Sequence, residues 1–181
     1  MQTNMIMTKL KVLLVDDDLT FKMYVEELLK QKTDSDVYFF EVDKVCNMED
    51  CLTSMKENDY DLVVLNFANM DMVGHTGIIE AAVKACETID KCVNKVVSYF
   101  IEQGGVVLLT ADHGNAEQMI DENGKPHTAH SLNPVPLVLI DDTRKDAELK
   151  SGSLKDIAPT ILHIMGIEKP ELMDGVSLVE T

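Results

Sequence analysis

Five residues of types that bind transition metals or carry protons lie in three short segments of the chain: Asp71, His75, Asp112, His113 and His130. Asp71 and His75 are four residues apart, a spacing at which two side chains can meet on one helical turn or within one loop. Asp112 and His113 are adjacent, so both can serve one site only where a strand has ended. Carboxylate and imidazole together suit Mn2+ or Zn2+, and a mixed set suits two ions side by side. Taken together, these residues favour a metal centre over scattered surface histidines.

A second acidic group follows the first apolar run of the chain and consists of Asp16, Asp17 and Asp18. Such a group after a strand is either a source of metal-binding carboxylates or a solvated loop. The sequence leaves both interpretations open.

Alternating apolar runs and helical patterns indicate how these residues are positioned. The predicted strands cover residues 10–15, 37–42, 61–65, 106–110 and 136–140. The predicted helices cover residues 20–31, 48–56, 78–103 and 154–165. Apolar strands separated by helices predict an α/β fold, with a mostly parallel sheet of about five strands and helices on both faces. Ligands collect beyond the carboxyl ends of such strands, and the acids and histidines follow the first, third and fourth predicted strands.

Composition excludes several classes of partner. Lys and Arg number 16 against 32 Asp and Glu, giving a net charge of -16 that disfavours nucleic acid and anionic membrane surfaces. Arg144 is the single arginine, whereas a phosphorylated substrate is normally held by several.

No apolar run approaches the ~18 residues of a membrane span, and no secretory signal is evident, so a cytoplasmic protein is expected. The cysteine spacing matches no zinc or redox motif, so we expect small buried side chains at Cys46, Cys51, Cys86 and Cys92.

Four segments resemble a known enzyme family. They are NFANMDMVGHTG (66–77), TADHGNAEQM (110–119), KPHTAHSLNPVPLVL (125–139) and GSLKDIAPTIL (152–162). In this order they are similar to the C-terminal part of cofactor-independent phosphoglycerate mutase, which belongs to the alkaline-phosphatase-like metalloenzymes. The resemblance runs from about residue 60 to the end of the chain.

The resemblance implies an alkaline-phosphatase-like core with a two-manganese site. Asp71, His75 and His130 would hold one ion, while Asp112 and His113 would contribute to the other; Zn2+ or Mg2+ could replace manganese. The implied activity is the glycolytic interconversion of 2-phosphoglycerate and 3-phosphoglycerate, with a small phosphorylated metabolite as partner. His127 and His163 are at positions where the family needs no ligand.

The family's serine nucleophile and first-strand aspartate match no segment of this sequence, and neither does its substrate-handling domain. No catalytic residue is therefore assigned, and the second metal site is incomplete. Asp16 or Asp17 could replace the missing aspartate, because both follow a first strand. Ser131 is the serine nearest the metal motifs, and we expect it to make local hydrogen bonds. We expect this chain alone to be inactive.

Residues 1 to about 65 resemble the first half of a response-regulator receiver domain, through LKVLLVDDDLTFKMYVEELLK and YDLVVL. Asp16 and Asp17 would match the acidic pair that binds Mg2+ there. Asn66 stands where a receiver has its phospho-accepting aspartate, and an amide is a poor nucleophile. We therefore expect a receiver-like segment at 1–65 and a mutase-like segment at 66–181, packed as one continuous domain.

Three functional hypotheses follow. The chain is the metal-binding part of a phosphoglycerate mutase, a receiver-like signalling module without its phospho-acceptor, or a non-functional fusion product. The sequence does not separate the first from the third.

Overall fold

The computed structural model describes residues 8–30 and 38–180. The chain divides into two compact units, Met1–Ala68 (unit 1) and Asn69–Thr181 (unit 2). The packing of the two segments as one continuous domain stays a prediction.

Unit 1 is a small parallel α/β layer. Its elements are β1 Thr8–Val15, α1 Leu19–Lys30, β2 Tyr38–Val45, α2 Met48–Glu57 and β3 Leu62–Leu65. The strand order is β2-β1-β3, and both pairings are parallel. The central strand is buried from Val12 to Val15, which explains its unbroken apolar run. The first three predicted strands and first two predicted helices are present; residues 31 and 37 lie outside the described residues.

Unit 2 carries the longest helix and the metal-type residues. Its elements are α3 Asn69–Gly74, α4 Ile79–Glu102, β4 Val107–Thr110, β5 Leu137–Ile140, β6 Glu148–Leu149, a 3-10 turn Leu154–Asp156, α5 Ile157–Ile164 and β7 Val179–Glu180. Helix α4 ends as the sequence predicts: Gly104 adopts a φ of 74°, and the Gly105 amide donates to the Phe100 carbonyl at 2.8 Å.

The predicted five-stranded, mostly parallel sheet is wrong for the described residues, although the α/β class holds. The parallel sheet has three strands, and β4 pairs antiparallel with β5, from Val107↔Ile140 to Thr110↔Leu137. Strands β6 and β7 form a second antiparallel pair. Residues 111–136 contain no helix, and a parallel connection requires a long crossover, usually helical. The chain between β4 and β5 therefore returns as an antiparallel partner.

That return segment is organised by two isolated bridges. Gly114 pairs with Ser131, and Ile120 pairs with Pro126, and both antiparallel bridges lie one inside the other between β4 and β5, so the chain reverses once before β5. At the tip, Asn123 and Gly124 lie in a turn: the Asp121 amide donates to the Lys125 carbonyl at 2.8 Å, and Gly124 has a φ of 75°. The bridges place the residues after β4 beside those before β5.

No helix in the described ranges is long and apolar enough to cross a membrane.

Candidate metal centre

Three segments of unit 2 supply the candidate ligands. Asp71 lies on α3, and the His75 amide donates to the Asp71 carbonyl at 3.1 Å, which carries the helical turn onward to the histidine. His113 follows β4, and His130 lies in the segment that the Gly114↔Ser131 bridge holds beside it. The sequence leaves open whether Asp71 and His75 meet on a helical turn or within a loop, and the structure has a short helix at Asp71.

The side chains of these four residues, here called the Asp–His cluster, converge on one point. The Nε2 atoms of His75 and His130 lie 3.1 and 3.0 Å from Asp71 Oδ1. They lie 3.1 Å from each other. His113 Nε2 is 3.9 Å from Asp71 Oδ1, and its ring stacks on that of His130 at 3.6 Å. The ligand atoms of Asp71, His113 and His130 all lie within 4.8 Å of one another.

The hydrogen bonding of His75 shows that the cluster suits a cation. His75 Nδ1 lies 2.6 Å from the Thr128 carbonyl oxygen, which can only accept, so Nδ1 carries the proton. In neutral His75, Nε2 then carries no proton, and its lone pair is directed at the Asp71 carboxylate and the His130 ring. Several acceptors within hydrogen-bond distance of each other need a proton or a metal ion between them. In metal-binding histidines, the ring nitrogen that does not bind the metal usually donates a hydrogen bond, for example to a carbonyl oxygen, and this bond fixes the tautomer.

The electrostatics of Asp71 keep it anionic. Partial burial raises the pKa of its carboxyl group, but the hydrogen bond from Asn115 and the neighbouring His75, His130 and His113 together outweigh this effect. The net result is a pKa below the ordinary aspartate value, so the group that would bind a cation carries its charge at neutral pH.

Asp112 lies at the margin of the cluster. Its side chain is 82% exposed, and its Oδ2 is 3.6 Å from His113 Nε2. It can reach an ion beside His113 from the solvent side.

Asp16 and Asp17 belong to unit 1. Asp16 is buried at the end of β1, where its Oδ1 accepts from the Asp18 amide at 2.7 Å and its Oδ2 accepts from Asn66 Nδ2 at 3.0 Å. Asp17 is exposed. The carboxylate of Asp18 accepts from the Thr20 amide at 2.8 Å at the start of α1. Structural hydrogen bonds thus already engage two of these three acids, and a ligand role for Asp16 or Asp17 stays a prediction.

The remaining histidines and cysteines have other surroundings. His163 is exposed on α5, with Nδ1 2.6 Å from Ser177 Oγ. Cys51 is buried as expected, but the same expectation is wrong for Cys46 and Cys86, which are exposed. Cys86 lies on the solvent side of α4, where a small apolar residue carries little penalty.

Sequence reasoning missed Glu117, which connects the segments that carry His113 and His130. Its carboxylate accepts hydrogen bonds from Ser131 Oγ, from Asn133 Nδ2 at 3.0 Å and from the Asn115 amide at 2.6 Å. The Ser131 bond foremost, with those of Asn133 and Asn115, lowers the pKa of Glu117 to about 2 despite opposing desolvation. Ser131 therefore makes the local hydrogen bond that the sequence predicts.

Asn115 was missed as well, although its Nδ2 lies 2.7 Å from Asp71 Oδ1. No spacing rule identifies Asn115 or Glu117, because their side-chain partners are 44 and 14 residues away.

Comparisons with known proteins find relatives that share one enzyme name. The 2,3-bisphosphoglycerate-independent phosphoglycerate mutase of Syntrophotalea carbinolica is 58% identical over 121 residues, which are 67% of this chain and 24% of that enzyme. The enzyme of the same name from Clostridium acetobutylicum is 56% identical over 133 residues, 73% of this chain and 26% of the relative. The chain thus spans about a quarter of the length of these relatives.

A crystal structure of Leishmania mexicana phosphoglycerate mutase at low cobalt concentration has a similar fold, with a TM-score of 0.71 at 24% identity. The similarity covers 95% of this chain and 37% of the other. A family model described as the metalloenzyme superfamily matches residues 27–169, which include the whole Asp–His cluster and the second half of the receiver-like segment. Because that match covers most of the sequence, the chain belongs to the metalloenzyme superfamily.

Proposed function

We propose that this chain is the metal-binding part of a 2,3-bisphosphoglycerate-independent phosphoglycerate mutase and that unit 2 binds Mn2+, with Zn2+ or Mg2+ as alternatives. The observation that carries the proposal is the convergence of His75 Nε2, His130 Nε2 and Asp71 Oδ1 within 3.1 Å of one another. An anionic oxygen and two imidazole nitrogens in this arrangement form a donor set that suits manganese and zinc.

Each residue has a distinct role in the proposal. Asp71, His75 and His130 hold the tighter ion, and the Thr128 carbonyl orients the His75 ring. His113 and Asp112 contribute to a second ion at the margin of the cluster. Bound ions of this kind supply positive charge for phosphoryl transfer.

The activity in which this part would serve is the interconversion of 2-phosphoglycerate and 3-phosphoglycerate, a reaction on a small phosphorylated metabolite. The support is the name shared by relatives that are 56% to 58% identical to this chain. The 181-residue chain offers one arginine to hold such a substrate. We therefore expect this chain to bind such a substrate weakly.

Calorimetric titration of the purified chain with Mn2+ tests the proposal. We expect the wild type to bind and Asp71→Asn to lose most of the affinity, since the substitution keeps the shape of the side chain but removes its charge. The matched control is Asp142→Asn, because Asp142 is an exposed carboxylate paired with Lys145. Absence of binding by the wild type would contradict the proposal and favour the non-functional fusion product.

A receiver-like role for residues 1–65 is the second candidate. The strand order β2-β1-β3, with Asp16 and Asn66 after adjacent parallel strands, favours it. Incubation with acetyl phosphate tests whether this segment accepts a phosphoryl group. We expect no acid-stable, base-labile phosphorylation, because the side chain after β3 is an amide; stoichiometric labelling of an aspartate would favour the signalling function instead.

A further inference from the structure

A buried amide lies directly behind the Asp–His cluster. Asn115 is 6% exposed, and its Nδ2 lies 2.7 Å from Asp71 Oδ1 and 3.4 Å from the Asp71 carbonyl oxygen. Carboxylate and carbonyl oxygens only accept hydrogen bonds, so the amide nitrogen must face them. The orientation of the Asn115 side chain is therefore determined by Asp71.

The oxygen of the same side-chain amide lowers the stability of the fold. Asn115 Oδ1 is buried without a hydrogen-bond partner among the described residues. Leaving a buried acceptor without a hydrogen-bond partner opposes folding. An apolar side chain at this position would avoid that cost. The presence of the amide is explained by what its nitrogen does to Asp71.

Gly74, the last residue of α3, leaves room for this amide. A Cβ atom at residue 74 would lie 2.7 Å from Asn115 Cγ and closer still to Oδ1, so no larger residue fits while the amide keeps its position. Gly74 is not among the described glycines with a positive φ, which means that its backbone conformation suits alanine equally well. The need for glycine is therefore steric.

We propose that Asn115 is a positioning residue of the metal centre and that Gly74 maintains the space it needs. By donating to Asp71 Oδ1, Asn115 holds the carboxylate towards the His75 and His130 rings and ties α3 to the segment that carries His113. This inference rests on the metal-binding function proposed above. Loss of a residue that orients a metal ligand weakens metal binding about 10- to 100-fold, and we expect this range for Asn115→Ala.

A double-mutant cycle in the full chain tests the pair. The variants are Asn115→Ala, Gly74→Ala and the double substitution, with Asn123→Ala as a control on the exposed turn. Each protein is titrated with Mn2+ by calorimetry, and each is loaded with Co2+ to record the visible absorption spectrum. Thermal melting without metal reports whether a variant is folded.

We expect Asn115→Ala and Gly74→Ala each to weaken Mn2+ binding at least about tenfold and to change the Co2+ spectrum. In the Asn115→Ala background, Gly74→Ala should add little further loss, because the side chain that it displaces is already gone. A merely structural role would lower the melting temperature and leave the affinity and the Co2+ spectrum of the folded protein unchanged.

The outcomes separate this inference from the function on which it rests. If the wild type binds no metal, the proposed function fails. If the wild type binds and folded Asn115→Ala binds equally well with the same spectrum, only the positioning role is overturned. Additive effects of the two substitutions would overturn the steric link between Gly74 and Asn115.

Discussion

His75 is held at both its backbone and its ring. Its amide continues the hydrogen bonding of α3, and its Nδ1 donates to the Thr128 carbonyl oxygen at 2.6 Å. The ring therefore has little freedom to turn, and Nε2 is directed at the cluster in advance of any ligand. Such preorganisation reduces the entropy lost on binding.

His75→Ala should remove most of the Mn2+ affinity, with a loss of at least tenfold, because a three-ligand site becomes a two-ligand site. Calorimetry measures this directly. His163→Ala provides the control, since His163 is an exposed histidine bonded to Ser177. Equal Mn2+ binding by the wild type and His75→Ala would show that the ligand assignment is wrong.

At the residue scale, the sequence predicts candidate metal ligands better than the polar residues that hold those ligands in place. Asp71, His75, His113 and His130 are recognisable by type and spacing, and the structure brings them together. Asn115 and Glu117 are ordinary polar residues until a distant segment folds against them. Their roles depend on contacts across 44 and 14 positions, which no local pattern records.

At the scale of elements, the 3-10 turn before α5 depends on one carboxylate, that of Asp156. Asp156 Oδ2 accepts from the Ser153 amide at 2.8 Å, and Oδ1 accepts from the Val176 amide at 2.9 Å. These bonds, with that of the Val176 amide foremost, lower the pKa of Asp156 below its ordinary value. The same residue thus completes the capping box of the 3-10 turn that precedes α5 and fixes the C-terminal segment to that turn.

Asp156→Asn should lower the melting temperature of the chain at pH 7 by several degrees, since one amide group cannot accept all of these bonds. Because the folded pKa is depressed, the stabilisation is complete above the ordinary aspartate range and is lost as pH falls through it towards the folded pKa. The difference in melting temperature between wild type and variant should therefore narrow from pH 7 to pH 3. A constant difference across that range would contradict this account, and Asp174→Asn, an exposed change, is the control.

Thr160→Val should destabilise unit 2 by roughly 1–3 kcal/mol in urea unfolding. The Thr160 hydroxyl is fully buried, donates to the Asp156 carbonyl at 2.7 Å and accepts from the Leu178 amide at 2.9 Å. Valine has nearly the same shape but can neither accept from the Leu178 amide nor donate to the Asp156 carbonyl. Thr160→Ser keeps the hydroxyl and should retain more of the stability; if serine and valine cost the same, the lost methyl packing is the cause.

The elements that the sequence predicts correctly are those whose own residues determine them. Continuous apolar runs give β1 and β3, and the Gly104–Gly105 pair ends α4. Helix α3 has six residues, too few for a helical period to be visible. The direction of β5 depends on the path of residues 111–136, which the apolar pattern of the strand does not encode.

At the scale of the whole molecule, the net charge disfavours the binding of anionic metabolites. A net charge of -16 repels phosphorylated metabolites at a distance, and Arg144 is engaged with Asp141 at 3.0 Å. The relatives with the mutase name are about four times as long as the matching part. The proposed metal binding and any turnover can therefore be tested separately.

We expect the purified 181-residue chain with saturating Mn2+ to show no interconversion of 2-phosphoglycerate and 3-phosphoglycerate above a metal-free control. Losing a covalent nucleophile lowers rates by several orders of magnitude when catalytic groups act as a unit. A coupled assay with a full-length mutase as positive control measures this. Robust turnover would reveal an unrecognised nucleophile, and Ser131→Ala would be the first variant to examine.

The separation of His75 from His130 along the chain also affects the unfolded state. The two histidines are 55 positions apart, so one ion held by both closes a ring of that length. A permanent cross-link around such a ring stabilises a fold by about 4 kcal/mol through the lost entropy of the unfolded chain. All four cysteines are free, so no covalent bridge serves this purpose. With a metal ion bound, the Asp–His cluster would thus act as a reversible cross-link. The concentration of free metal would then help to set the fraction of the chain that is folded.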